Sequence, residues 1–297
     1  MKPRRIIYLE KILRFFSKVI LWKYKPTIVG ITGSVGKTST KEAVFLALSS
    51  KFKVRKNEKN YNNEIGIPLT IIGVESGNRS IFGWIKVFLK WLSVVIFPID
   101  YPKILVLEMG ADRPGDIEYL LSFIKPAIGI ITAISESHLE FFKSIDHIAK
   151  EKRKLIKNLP SDGMAILNGD NEKILALKNA TSAPMIFFGS GENSQFRFSD
   201  ISFNYNGLEP QGISFKLNYD GKVMPIRLPN VLAPHLIYAT LAAIATGVFF
   251  KINLIKVAKA LEEFTPPCGR MNLISGKNDS FIIDDTYNSS PVSALAA

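Results

Sequence analysis

The run Gly30-Ile31-Thr32-Gly33-Ser34-Val35-Gly36-Lys37-Thr38-Ser39 gathers residue types suited to binding phosphate. Glycines let backbone N–H groups turn inward toward anionic oxygens, and a helix starting just after them adds partial positive charge. Lys37 can neutralise a β- or γ-phosphate, and the Thr38 hydroxyl is a ligand type for magnesium. Gly33, Ser34, Val35, Gly36, Lys37, Thr38 and Ser39 are therefore the expected contacts of a nucleotide's phosphates. The common form of this loop has a glycine where this chain has Ile31; its glycines stand at 30, 33 and 36 instead. That departure points to a particular subfamily of phosphate loop. A plain glycine turn is the bland alternative, and a preceding strand with lysine and threonine weighs against it.

Such a loop works only between a strand and a helix. Thr27–Thr32 reads as a short apolar strand, and about Thr38 to Ser50 as the helix. Further buried strands are expected at Ile104–Leu107, Ala127–Thr132 and Met164–Leu167, with helices around Asp116–Phe123 and Ile145–Asn158. This alternation predicts an α/β fold, a phosphate-loop-containing, mostly parallel sheet flanked by helices. Between 196 and 228 apolar and polar residues alternate, and Asn206-Gly207 and Asp220-Gly221 read as hairpin turns. A small antiparallel β subdomain is therefore expected to follow. Helical patterns return at 232–250 and 253–263, and Phe281–Ile283 reads as a last strand before Asp284-Asp285. Glu108 ends the strand at 104–107, where strand C-termini of an open sheet meet a ligand. Taken alone, a solvated loop charge is its simpler reading.

The chain has 297 residues, 47% of them apolar, enough for a full hydrophobic core. Its net charge of +12 is concentrated, since residues 1–59 carry 15 Lys or Arg against 3 Asp or Glu. Phosphates, an acidic substrate or an anionic membrane surface are the natural partners. No nucleic-acid-binding motif accompanies the charge, so no nucleic acid is expected. Residues 1–25 read as a basic amphipathic helix, with Leu9, Ile12, Leu13, Phe16 and Ile20 at helical spacing and Lys11, Arg14 and Lys18 on another face. Two readings stay open for it: a helix lying on a membrane, and a helix packed on its own domain. Residues 81–99 are strongly apolar, but Lys86, Lys90 and the closing Pro98 argue for an amphipathic surface helix over a membrane span. Phe82, Trp84, Phe88, Trp91 and Phe97 leave interfacial contact open there. The single cysteine, Cys268, excludes an internal disulfide and fits a reducing cytoplasm. It is expected to be a small buried hydrophobe.

Beyond the glycine loop come Asn60-Tyr61-Asn62-Asn63-Glu64-Ile65-Gly66-Ile67-Pro68-Leu69-Thr70, Glu108-Met109-Gly110-Ala111 and His138-Leu139-Glu140. Glu151-Lys152, Gly269-Arg270-Met271 and Asp284-Asp285-Thr286-Tyr287-Asn288 complete the set. In kind and order these resemble the motifs of the Mur ligases, the amide-bond-forming enzymes of peptidoglycan precursor synthesis. The resemblance covers residues 27–297 as the central ATP-binding domain, with 1–26 a separate N-terminal helix. It implies ATP and Mg2+, and a substrate carboxylate activated as an acyl phosphate that an amine attacks. In the branch matched most fully, the small-molecule partners are a UDP-linked cell-wall precursor and the dipeptide D-alanyl-D-alanine.

The resemblance also implies roles. Lys37 would meet the phosphates, Thr38 and Glu108 would hold one magnesium, and His138 would help hold a second. Lys152 would match a lysine carbamylated by carbon dioxide into an anionic metal ligand, a reaction that needs a neutral amine and so a lowered pKa. Arg270 would contact phosphate, and Asp285 and Asn288 would lie near the ribose or adenosine. Asn60, Asn62 and Asn63 would shape the substrate-side loop. Taken singly, each has a bland alternative. Lys150, Arg153, Lys154 and Lys157 make a solvated basic face around Lys152, His138 suits a structural polar role, Arg270 a surface, and Asp or Asn a turn. Where the family carries asparagines that meet the base, this chain has Leu236 and Ala239, so adenine recognition is expected to be weaker or arranged differently. Residues 1–26 offer no counterpart to the family's UDP-sugar-binding domain, and the amine-receiving C-terminal domain would begin after Ala297. The isolated chain is therefore expected to turn over poorly. A relative acting on folate or a lipid-linked cell-wall precursor is one alternative, and a non-catalytic nucleotide-binding scaffold another. The expected location is the cytoplasm, peripheral to the inner membrane face if residues 1–25 and 81–99 lie on it.

Overall fold

The computed structural model of the chain describes residues 3–58, 60–278, 280–288 and 291–296. It opens with α1 (Arg4–Tyr24), β1 (Thr27–Thr32), α2 (Lys37–Ser49), β2 (Val54–Lys56), α3 (Gly66–Ile72) and α4 (Ile81–Ile96). Next come β3 (Ile104–Glu108), α5 (Asp116–Leu121), β4 (Ile128–Ile131), α6 (Leu139–Phe142), α7 (Ile145–Lys157), β5 (Met164–Asn168) and α8 (Glu172–Leu175). The rest is β6 (Met185–Gly189), β7 (Phe196–Asn206), β8 (Glu209–Tyr219), β9 (Lys222–Leu228), α9 (Ile237–Phe249), α10 (Leu254–Leu261), β10 (Asn272–Ser275) and β11 (Phe281–Asp284), before a short helix at Pro291–Ala296. Met1, Lys2 and Ala297, the ends of the two expected segments, lie outside the described residues.

The central strands are apolar at nearly every position because helices cover both faces of the sheet. Side chains alternate along each strand. Val29, Ile31, Val106 and Ile130 turn to one side and pack with Ala43 and Val44 of α2, Ile244 of α9 and Val257 of α10. Ile28, Leu105, Leu107 and Ile131 turn to the other and pack with Ile67 of α3, Ile117 of α5 and Ile148 of α7. Each fully buried Val, Leu or Ile contributes about 1.5–3 kcal/mol, so the two apolar layers fix the register of the strands between them.

Nine strands form one sheet in the order β2-β3-β1-β4-β5-β6-β7-β8-β9. From β2 to β7 neighbours run parallel, and β7, β8 and β9 are antiparallel. The antiparallel strands are continuous with the parallel ones, joined through Phe188 opposite Phe196 and Gly189 opposite Arg197. A second, two-stranded sheet pairs β10 with β11. The decisive feature is β1, which has β3 on one side and β4 on the other. The order of strands reverses there, and such a switch point opens a crevice beyond the strand C-termini.

α1 follows the packing alternative on one face. Leu13, Phe16 and Ile20 are buried, the Phe16 ring stacks on Trp91 of α4 at 4.0 Å, and Lys23 Nζ donates to the carbonyls of Val94, Val95 and Phe97. The lysine thus satisfies the carbonyls left open at the end of α4. Among the described residues no helix is long and apolar enough to cross a membrane. One expectation fails: Cys268 is exposed. It sits in the turn after Pro266 and Pro267, between α10 and β10, where no element among the described residues covers it.

Candidate active site

The glycine loop leaves β1 at the switch point and feeds α2, whose N-cap is Gly36 at φ +80°. That left-handed conformation suits glycine. Gly33 is held by a neighbour: a Cβ there would lie 1.9 Å from Thr132 Oγ1. Thr132 follows β4 and its hydroxyl donates to the Val35 carbonyl at 2.5 Å, so β4 clamps the loop from the side. The Ser34 hydroxyl donates to the Ser135 carbonyl at 2.8 Å and accepts from Ser135 N at 3.1 Å. Lys37 Nζ folds back over the loop and donates to the carbonyls of Gly33 (2.9 Å) and Ser34 (3.2 Å). Burial lowers the Lys37 pKa, Arg270 lowers it further, and Glu108 and Asp112 oppose the shift.

Glu108 ends β3 beside the loop, with Ile31 as its register partner across β1. It is 3% exposed, so it is no solvated loop charge. Its Oε1 accepts from Asn62 Nδ2 at 3.1 Å, whereas its buried Oε2 has no hydrogen-bond partner among the described residues. Asn57 fixes the backbone of this residue. The Asn57 Oδ1 accepts from Glu108 N at 2.8 Å, and Asn57 Nδ2 donates to Glu108 O at 3.3 Å. Lys41, buried in α2, donates in turn to the Asn57 carbonyl at 2.7 Å.

Lys152 comes from α7. Its neighbours Lys150, Arg153 and Lys157 point to solvent, while Lys152 is turned in and only 2% exposed. Adjacent Glu151 is buried too, accepting from the N–H of Ile117 at the start of α5 (2.9 Å) and pairing with Lys154 (2.9 Å). Burial and then the nearby Lys37 cation bring the Lys152 pKa down from 10.5 to about 7, against the attraction of Glu151 and Asp112. A fraction of this amine is therefore neutral near pH 7. His138 stands at the N-cap of α6, half-exposed, with Nε2 3.5 Å from Asp112 Oδ1.

These groups line one cleft of about 670 Å3. Gly33, Ser34, Val35, Gly36, Lys37, Thr38, Asn60, Asn62, Glu108, His138, Lys152, Arg270, Asp285 and Asn288 all border it. Arg270 Nη2 donates to Thr38 Oγ1 at 3.1 Å, and its guanidinium lies 4.3 Å from the Tyr287 ring centroid. The Tyr287 hydroxyl donates to Asn60 Oδ1 at 2.9 Å. Two expected residues stand outside the cleft lining. Ser39 is buried within α2, and the Asn63 Oδ1 accepts from Ile65 N and Gly66 N, holding the start of α3. Leu236 and Ala239 are buried in the apolar layer beneath α9, so neither reaches the cleft. Gly110, Ala111, Asp112, Glu136, Ser137, Leu139, Gly269 and Tyr287 also line the cleft. Of these, Glu136 and Ser137 sit in the loop after β4 and were missed in the sequence, where only the expected strand end at Thr132 could have pointed to them.

The order of elements and the cleft agree with one family. The family model for the Mur ligase middle domain matches residues 31–82 and 95–247. The chain belongs to this family. It is 30% identical over 285 residues to the UDP-N-acetylmuramoyl-tripeptide--D-alanyl-D-alanine ligase of Bacillus subtilis (strain 168), over 96% of this chain and 55% of that one. It is 28% identical over 287 residues to the ligase of the same name from Escherichia coli (strain K12), over 95% and 57%. Among solved structures, MurF from Acinetobacter baumannii superposes with a TM-score of 0.79 at 24% identity, over 97% of this chain and 56% of that one. MurF ligase from Thermotoga maritima in complex with ADP gives 0.75 at 25% identity, over 97% and 59%. The chain thus spans a little over half the length of each of these relatives.

Proposed function

We propose that this chain is the ATP-handling core of a ligase of peptidoglycan precursor synthesis that joins a substrate carboxylate to an amine, D-alanyl-D-alanine. The observation that carries the reading is the convergence of Lys37, Glu108, His138 and Lys152 on the cleft floored by the glycine loop. The similarity to ligases of that name supports the choice of dipeptide. In the first step a carboxylate oxygen attacks the γ-phosphorus of ATP, forming an acyl phosphate while the bond to ADP breaks. In the second the amine attacks the acyl carbon, phosphate leaves, and the amine's proton passes to solvent or phosphate. Both steps depend on positioning and on spreading phosphoryl charge. Loop N–H groups and Lys37 would bind the phosphates, and Arg270, bonded to Thr38, would reach the same oxygens. Asp285 and Asn288 border the same cleft and would lie near the ribose, with Asn60 and Asn62 on the substrate side.

The residues fit magnesium. Glu108 Oε2 is a buried oxygen acceptor with no partner among the described residues, and the Thr38 hydroxyl and His138 border the same cleft. Among the described residues no group of three or more His, Cys, Asp or Glu comes together, which suits an ion taking one or two protein oxygens with the rest from phosphate and water. Bound magnesium would neutralise charge on the transferring phosphoryl group. Lys152, with its lowered pKa, could take up carbon dioxide as a carbamate and add an anionic oxygen to that set. ATP as a substrate supports a cytoplasmic location.

Titration calorimetry of the purified chain with ATP tests this reading. Binding should require magnesium and fall at least about 100-fold in Lys37→Ala, since a charge-assisted phosphate contact is worth several kcal/mol when buried. Metal-independent affinity, or an unchanged Lys37→Ala variant, would remove the reading. A second reading, a related ligase acting on a lipid-linked precursor, is favoured by the exposed apolar faces of α1 and α4. A fuller chain that turns over lipid-linked but not UDP-linked precursor would select it.

A further inference from the structure

The helices α1 and α4 run side by side on the sheet's second face, and each buries only one side. α1 buries Leu13, Phe16 and Ile20 but leaves Tyr8, Ile12, Phe15 and Trp22 exposed, Trp22 at 77%. α4 buries Val87 and Val94 but exposes Ile81, Phe82, Ile85, Phe88, Leu89 and Ile96, Phe82 at 83%. The two exposed stripes adjoin. Phe15 lies 6.4 Å from Trp91, and Phe16 lies 6.0 Å from Phe88, ring centroid to centroid. At 100° per residue, Lys86 and Lys90 fall on the flank of α4 away from α1, and Lys11 and Lys18 on the flank of α1 away from α4. All four lysines are exposed. The result is an apolar, aromatic platform edged by cations on both outer sides. Nothing in the nucleotide chemistry uses it, and residues 83–94, most of α4, fall between the two stretches matched by the family model.

We propose that this platform seats the protein on an anionic lipid surface. The composition favours lipid over a protein partner or a second copy. Protein interfaces are depleted of lysine, whereas a lipid interface places aromatic rings at headgroup depth and lets flanking lysines extend to the phosphates. The surplus positive charge of the chain lies in residues 1–59, which include α1, so the complementary surface is negative. Neither helix crosses the bilayer; both lie in its surface. This inference does not depend on the ligase reading.

Vesicle flotation of the intact chain, with phosphatidylglycerol-rich and pure phosphatidylcholine vesicles compared, tests it. Binding should appear on the anionic vesicles and weaken with salt. Phe82→Glu with Leu89→Glu should lower it at least about tenfold, and Lys86→Glu with Lys90→Glu about fivefold per lysine. These side chains are exposed, so circular dichroism and ATP affinity should stay as in the parent chain. Absence of binding to anionic vesicles at low salt overturns the proposal, as does equal binding to neutral vesicles. Sedimentation showing a dimer that the Phe82→Glu, Leu89→Glu variant dissociates, without vesicle binding, would assign the platform to a second copy and also overturn it.

Discussion

Lys152 offers the sharpest test of how burial shapes this site. Bringing a lysine pKa from 10.5 to about 7 corresponds to a destabilisation of about 5 kcal/mol for holding the cation inside the folded chain. Its sign follows from proton counting. Between about pH 7 and the ordinary lysine value the unfolded chain binds the proton and the folded chain does not, so stability rises with pH across that window. Below about pH 7 both states are protonated and the whole penalty is present. Lys152→Met removes the charge while keeping a side chain of similar length. Urea denaturation of both proteins in carbon-dioxide-free buffer, from about pH 6 to about pH 10, reads the difference. The variant should be the more stable one at neutral pH by on the order of 4 kcal/mol, and wild type should recover about 3 kcal/mol of that by about pH 10. Phosphoryl transfer should nevertheless be lost. Parallel stability curves, or a variant less stable at neutral pH, would refute the claim that this amine is held at a cost for chemistry.

Adding 13C-labelled bicarbonate to wild type should produce a carbamate carbon signal in NMR that Lys152→Met lacks; its absence at about pH 8 would leave the amine unmodified. Gly33→Ala should push the loop off Thr132 and lower ATP affinity at least about 100-fold by calorimetry, with a stability loss of only about 1–3 kcal/mol. Asn57→Ala removes both bonds to the Glu108 backbone and should cost about 2–4 kcal/mol in urea denaturation. Arg270→Ala should weaken ATP binding about 10–100-fold while leaving stability within about 1 kcal/mol.

The strand, loop and helix around Gly30–Ser39 were legible because local pattern and chemistry coincide there. The apolar strand, the glycines and the lysine all point the same way. β2 and β6 were not, since three residues Val-Arg-Lys and the run Met185–Gly189 carry no alternation and are strands only because a neighbour pairs with them. Asn60–Thr70 looked like a turn cluster with a substrate role. Its second half is α3, and Asn63 holds that helix instead of bordering the cleft. The burial of Lys152 was hidden by basic neighbours on the same helix. Only the docking of α7 on the sheet decides which of several lysines turns inward. Asn57 gave no signal at all, because its importance lies in two bonds to a strand 51 residues away. Residues 1–25 left two readings open; the buried face of α1 fits the packed helix, and its exposed face carries the lipid contact only as a proposal.

Lys37 has one more consequence. Its ammonium bridges the carbonyls of Gly33 and Ser34, and those two bonds hold the curvature of the turn. On the proposed function, an arriving nucleotide would exchange the lysine's partners and meet a cradle already in shape. Little backbone entropy would then be lost on capture, and the speed of encounter would follow diffusion and charge more than rearrangement of the loop.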